Sequence, residues 1–138
     1  MSDISATAED IDAVYEALQG INLLSAQVHA FNVRAGWWTD PKTGKSIIET
    51  RNVGEILMLI VSEVAEAMEG HRKDLMDDKL PHRKMIEVEL ADTMIRIFDL
   101  AGAKGYDLGG AINDKMAYNA QRADHKIENR LKPGGKAY

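Results

Sequence analysis

Two pairs of acidic residues, Glu63-x-x-Glu66 and Glu89-x-x-Asp92, lie inside apolar runs of helical period, with 22 residues between Glu66 and Glu89. An i,i+3 spacing places both carboxylates of a pair on one helix face, one turn apart. Four carboxylates converging from two neighbouring helices repel one another unless a hard, oxygen-seeking cation sits among them. Mg²⁺ is the natural occupant, with Mn²⁺ as the alternative, because carboxylate and water ligands suit those ions. Such a site handles phosphates. The competing account is two amphipathic helices with solvated acidic flanks, and for a single pair it is the stronger one. Matched placement on consecutive helices favours the metal site: Glu63, Glu66, Glu89 and Asp92 as ligands, with Glu66 doubling as a general base.

The opposite charge comes further along. Lys115, Asn119 and Arg122 are spaced four and three apart and so form one stripe of a helix. A cation, an amide and a second cation can grip a triphosphate and balance charge that develops in displacement at phosphorus, with Lys115 in the catalytic role. A solvated face, with Arg122 favourably placed near a helix C-terminus, is the alternative. Upstream, His29 and Asn32 are polar on a mostly apolar helix, and Trp37-Trp38 follows Gly36. An aromatic–base stack contributes about 1–3 kcal/mol, and Trp37 is the first candidate, unless one Trp closes the core and the other lies on the surface. Asn52 reads as a helix N-cap.

These residues need helices to position them. The first helix is predicted from about Ala8 to Ala35, with Ile11, Val14, Leu18, Ile21, Val28 and Phe31 at 3–4 spacing and a possible break at Gly20. Gly36 to Arg51 reads as a loop. A second helix starts near Asn52 and runs to about Gly70, a third spans Lys84 to Ala103, and a fourth runs from an Asp107 cap to about Arg122. Val53, Ile56, Leu57, Ile60, Val61, Val64 and Met68 on the second helix form an apolar arc expected to face the core. So do Ile86, Leu90, Met94, Ile97 and Ala101 on the third, with both acidic pairs along the arc edges. After Asp124 the chain is polar, and residues 124–138 read as a flexible tail to a single domain whose core covers about 8–123. The fold class is therefore all-α, a bundle of four to five helices. Long apolar arcs on so few helices leave surface uncovered in a lone subunit, which predicts a homo-oligomer.

Bulk composition narrows the function. The chain has 138 residues, 17 Lys+Arg against 22 Asp+Glu, and a net charge of −5, which argues against nonspecific nucleic-acid binding. It has no cysteine, so disulfides and thiolate metal sites are excluded. The N-terminal segment, Met1 to Asp10, shows no signal-peptide pattern, and the apolar stretch Ile56 to Val61 is too short to span a membrane. A di-iron bundle needs two Glu-x-x-His motifs, and no Glu here is followed by His three residues later. A nonenzymatic oligomeric helical protein with solvated acidic faces remains the rival reading.

Glu63-Val64-Ala65-Glu66, Glu89-Leu90-Ala91-Asp92 and Lys115-Met116-Ala117-Tyr118-Asn119 together resemble the all-α nucleoside triphosphate pyrophosphohydrolases of the MazG type. The resemblance covers roughly His29 to Arg122. Val28-His29-Ala30-Phe31, Trp37 and Arg51-Asn52 are similar to the dCTP pyrophosphatase branch, where a His, a Trp and an Asn line the substrate pocket, so His29, Trp37 and Asn52 are the implied sugar and base contacts. Ile60 to Arg72 and Lys115 to Arg122 look most like the short MazG-like proteins of bacteriophages. The resemblance implies a dimer or a dimer of dimers, with four copies preferred. It also implies Mg²⁺-dependent cleavage of a (d)NTP to monophosphate and pyrophosphate, in the cytoplasm of a bacterium or of a phage-infected cell. Arg96 departs from the pattern, because the dCTP branch carries a Tyr there near the base. Asp92, Arg96 and Asp99 share a stripe, so Arg96 reads either as the centre of an Asp92–Arg96–Asp99 ion-pair ladder or as a contact to base or phosphate.

Overall fold

The computed structural model describes residues 8–135, with side chains from Val14 onward apart from that of residue 125. The chain is all-α: α1 spans Ala8–Arg34, α2 Val53–Lys73, α3 Met85–Lys104 and α4 Leu108–Gln121, followed by a 3₁₀ turn, Ala123–His125, and a single helical turn, α5, Ile127–Arg130. The apolar reading at Ile11 and most of the polar N-terminal segment lie outside the described side chains and residues. No described helix is long and apolar enough to cross a membrane.

Local sequence accounts for the helix ends. The Asn52 side chain accepts a hydrogen bond from the Glu55 amide at the start of α2, and His71, Arg72 and Lys73 lie in its last turn, where cations favour the helix dipole. Asp107 caps α4 by accepting from the Gly110 amide. Gly20 does not break α1, which continues through it as one helix. Two compact units emerge: Leu23–Tyr106, and Met1–Asn22 together with Asp107–Tyr138.

Within Leu23–Tyr106, α2 and α3 pack along one another. Trp38, Ile56 and Leu100 form the core cluster, with Ile48, Val53, Ile60 and Ala103 packed around it. Two glycines permit close approach. A Cβ on Gly70 would meet the Met85 side chain at 2.9 Å, and one on Gly102 would meet His29 Cβ and the Ser25 carbonyl at 2.6 Å. The second contact seats the end of α1 directly on α3.

The helix faces correct the expected core. Ile56, Ile60, Glu63, Ala67 and Gly70, spaced 4-3-4-3, make the inner seam of α2, and Glu89, Thr93, Phe98, Asp99, Leu100 and Ala101 are the buried residues of α3. Leu57, Val61, Val64 and Met68 of the predicted α2 arc are exposed, as are Leu90 and Met94 of the α3 arc. Ala67, Gly70 and Thr93 keep part of these faces small, and the Glu63 and Glu89 carboxylates are buried on the same helix faces as Ile56 and Leu100.

In the other unit, Asn22 on α1 receives the Gly109 amide at 2.9 Å and donates to Asp107 at 2.7 Å. This ties the first turn of α4 to α1.

Candidate metal site and adjoining cavities

The α2–α3 seam brings Glu63, Glu89 and Asp92 together, each offering a carboxylate oxygen within 4.8 Å of the others. Glu63 and Glu89 are buried and Asp92 is open to solvent. Three acids at this separation are costly when all are charged. Glu89 shows the strain: its pKa is pushed up to about 7, first by burial, then by its hydrogen bond to Glu63 and the charges of Glu66, Glu63 and Asp92. Asp92 is raised by burial and by Glu63 and Asp77, with Arg96 opposing. Oxygen-only ligands at this spacing suit a hard divalent cation, which would relieve the same repulsion. Glu66, expected as a fourth ligand, lies outside the trio on an exposed position of α2, although its charge reaches Glu89.

Arg96 meets an acid of the neighbouring helix. Its Nε and Nη2 both contact Glu63 Oε1, at 2.7 and 2.6 Å, so its ion pair joins α3 to α2 and the expected Asp92–Arg96–Asp99 ladder does not form. Asp99 is engaged elsewhere. Trp38 Nε1 donates to both of its oxygens at 2.8 and 3.0 Å, Asn32 Nδ2 donates to Oδ2 at 2.8 Å, and His29 Nδ1 lies 2.8 Å from Oδ1. The His29 and Trp38 rings meet edge to face at 5.2 Å between centroids. His29, expected at the substrate, is thus held in a buried polar network beneath the site.

The two tryptophans divide as one of the sequence alternatives had it: Trp38 is 1% exposed and closes the core, whereas Trp37 is 66% exposed. Arg51 fixes them both. Its guanidinium stacks 4.6 Å from the Trp38 ring centroid, and its Nη1 donates to the Trp37 carbonyl at 2.8 Å. Two cavities adjoin this pair. One, of about 350 Å³, is walled by Asn32, Trp37, Arg51, Asp92, Arg96 and Asp99, so it opens beside the carboxylate trio. The other, of about 730 Å³, shares Trp37 and Arg51 and is completed by Asn52, Glu55, Thr50 and neighbours. Asn52 therefore lines a cavity while also serving as the α2 cap.

The remaining expected contacts belong to the unit that contains α4. Lys115 Nζ lies 4.9 Å from the Tyr118 ring centroid, and Arg122 pairs with Asp124 through Nε at 2.9 Å and Nη2 at 2.5 Å. Arg122 sits just past α4 in extended backbone, not on its last turn. Asn119 Oδ1 is buried without a hydrogen-bond partner among the described residues.

Four residues of the site carried no firm reading in the sequence. Arg51 was visible only as the neighbour of Asn52, and Asp99 only as a member of a supposed ladder. His29 and Asn32, three apart on one helix face, were the available signal for a buried acceptor such as Asp99. Asp77, in the α2–α3 connection, is buried; its Oδ1 accepts from the Lys79 and Leu80 amides at 3.0 and 2.6 Å, and its charge reaches Asp92. Nothing in local sequence distinguishes Asp77 from its exposed neighbour Asp78. Arg96 changed from a ladder member to the cation of the metal-site acids.

Compared with known proteins, the chain matches no family model, no curated protein and no solved structure.

Proposed function

We propose that the protein is a Mg²⁺-dependent nucleotide pyrophosphohydrolase that cleaves a (deoxy)nucleoside triphosphate to the monophosphate and pyrophosphate, in the manner of the MazG-like enzymes its motifs resemble. The observation that carries this reading is the trio Glu63, Glu89 and Asp92 bordering, through Asp92, a cavity walled by one exposed indole and two arginines. A cavity that has an acid of the carboxylate trio, two arginines and an exposed indole in its wall offers a partner for each part of a nucleoside polyphosphate: a cation site and guanidinium groups for the phosphates, and an aromatic face for the base.

In this reading Glu63, Glu89 and Asp92 hold the cation, with Mn²⁺ as a substitute. A cation held by these three residues would supply charge neutralisation of the phosphates and a lowered pKa for an attacking water. Glu66, exposed one turn from Glu63, accepts the proton of the attacking water. Arg51 lines the cavity with its guanidinium already held by the Trp38 ring and the Trp37 carbonyl, so it meets a phosphate with little loss of side-chain freedom. Trp37 stacks on the base, and Asn52 lies within the larger cavity that shares the Trp37 wall. The reading rests on Leu23–Tyr106 alone and needs no contribution from Lys115, Asn119 or Arg122.

The partner in this proposal is a second copy of the chain. Leu57, Val61, Val64 and Met68 on α2 and Leu90 and Met94 on α3 are exposed. Contiguous apolar surface of this kind marks an interface, and a dimer or a dimer of dimers is the assembly expected.

A panel of ribo- and deoxyribonucleoside triphosphates, assayed for pyrophosphate with and without Mg²⁺, tests the proposal. Metal-dependent pyrophosphate release from at least one of them is expected. Release of orthophosphate alone, or no hydrolysis of any triphosphate, sinks it.

A further inference from the structure

Arg96 and Glu63 form an unequal pair. The Glu63 side chain is 8% exposed and fixed in the helix seam, whereas that of Arg96 is 38% exposed and lines the cavity that Asp92, Trp37 and Arg51 also wall. Both guanidinium nitrogens in reach settle on one oxygen, Oε1. Arg96 therefore serves the acidic seam with its head group and is also part of the cavity wall. A divalent cation that takes Oε1 of Glu63 meets the guanidinium as a like charge at contact distance, where repulsion in a half-buried setting is strong. One of the two cations must leave that oxygen, and only Arg96 has room to move, into the cavity.

We infer that Arg96 is an exchangeable counter-ion: a divalent cation displaces it from Glu63, and the freed guanidinium then takes an anionic phosphate of a ligand in the cavity. This rests on the metal-dependent reading above and deepens it by naming how the site couples its two ligands. Displacement of Arg96 weakens metal binding when no anion is present to receive it. A polyphosphate group that accepts the fork-shaped guanidinium in two hydrogen bonds restores what was lost. Metal and anionic ligand then bind cooperatively, and linkage requires each to raise the other's affinity by the same factor. Arg51, already held by the Trp37 carbonyl and the Trp38 ring, provides the fixed cation of the cavity, and Arg96 the movable one.

The test is calorimetric and uses the full chain, with Mn²⁺ alone, a non-hydrolysable methylene-bridged triphosphate analogue alone, and each in the presence of the other. In wild type, each ligand should tighten the other by about fivefold or more, and by equal factors. Arg96→Gln should bind Mn²⁺ more tightly than wild type when no analogue is present, bind the analogue more weakly, and show a smaller mutual enhancement than wild type. Mn²⁺ binding that is unchanged or weaker in Arg96→Gln overturns the role of Arg96 and leaves the metal site standing. Independent binding of the two ligands in wild type does the same, and that measurement needs no variant to fold. Failure of wild type to bind Mn²⁺ at all overturns the metal-dependent reading together with this one.

Discussion

Trp38 Nε1 donates to both oxygens of Asp99, 61 residues away in sequence, and this bond joins the loop after α1 to the C-terminal half of α3. Asn32 and His29 meet the same carboxylate from α1. Three segments of one unit thus converge on a buried acid next to the cavity floor. Asp99→Ala leaves the buried Trp38 donor unmatched, at a cost of about 1–3 kcal/mol, and strips the half-buried Asn32 donor of its partner as well. A loss of about 3 kcal/mol or more in urea-induced unfolding is expected, with helical circular dichroism retained. A loss below about 0.5 kcal/mol, the size of an ordinary surface change, would show that the network does not hold the fold.

Glu89 sets a pH dependence whose sign follows from its surroundings. Burial, the hydrogen bond to Glu63 and neighbouring acids raise it from 4.5 to about 7. The folded chain therefore binds this proton more tightly than the unfolded chain does. The stabilisation is complete below the unfolded value and is lost as pH rises through about 7. Without divalent cations, Tm should fall between about pH 5 and pH 8, and with Mg²⁺ the fall should be smaller because metal binding selects the ionised carboxylate. A metal-free Tm that rises over this interval contradicts the assignment.

Replacing the same residue separates burial from binding. Glu89→Gln removes the ionisation and keeps a side chain of similar shape. The variant should melt at or above the wild-type temperature near pH 8 without metal, and its melting should no longer respond to Mg²⁺. In wild type a ligand at 100 times its Kd adds about 2.7 kcal/mol. A full Mg²⁺ response in a Glu63→Gln/Asp92→Asn double variant would place the metal elsewhere.

The two tryptophans should respond in opposite ways. Trp38→Ala empties the core position and should cost about 3–5 kcal/mol of stability. Trp37→Ala removes an exposed ring and should change stability by no more than about 0.5 kcal/mol. Nucleotide affinity should nevertheless drop by the value of one aromatic–base stack, about 1–3 kcal/mol, with metal affinity unchanged. Wild-type KM and base ranking in Trp37→Ala would remove the stacking role.

Light scattering addresses the exposed aliphatic stripe. At micromolar concentration the wild-type mass should be a multiple of 15.3 kDa, two or four copies. Val61→Lys together with Leu90→Glu introduces charge on both helices of the stripe and should yield the single-chain mass with helicity preserved. A wild-type monomer at that concentration contradicts the oligomer.

Helix number, caps and the two acidic pairs were legible in the sequence because they depend on neighbours within a few residues. Asn52 and Asp107 cap where their side chains reach the next turn, and i,i+3 acids share a face whatever surrounds the helix. The orientation of those faces was a tertiary matter. Periodicity ranks a face by apolar size, and so it assigned Leu57, Val61, Val64, Met68, Leu90 and Met94 to the core together with Val53, Ile56, Ile60 and Ala101. The last four are indeed buried or packed against it. The packed helices also buried the small residues Ala67, Gly70 and Thr93, and the Glu63 and Glu89 carboxylates with them. Partner choice was equally nonlocal. Arg96 had acids on its own helix within reach of a ladder, but α2 presented Glu63 at 2.6 Å and Asp99 already had donors from α1 and Trp38. Local spacing settles which side chains share a helix face; which partner each one meets is settled only when a second helix arrives.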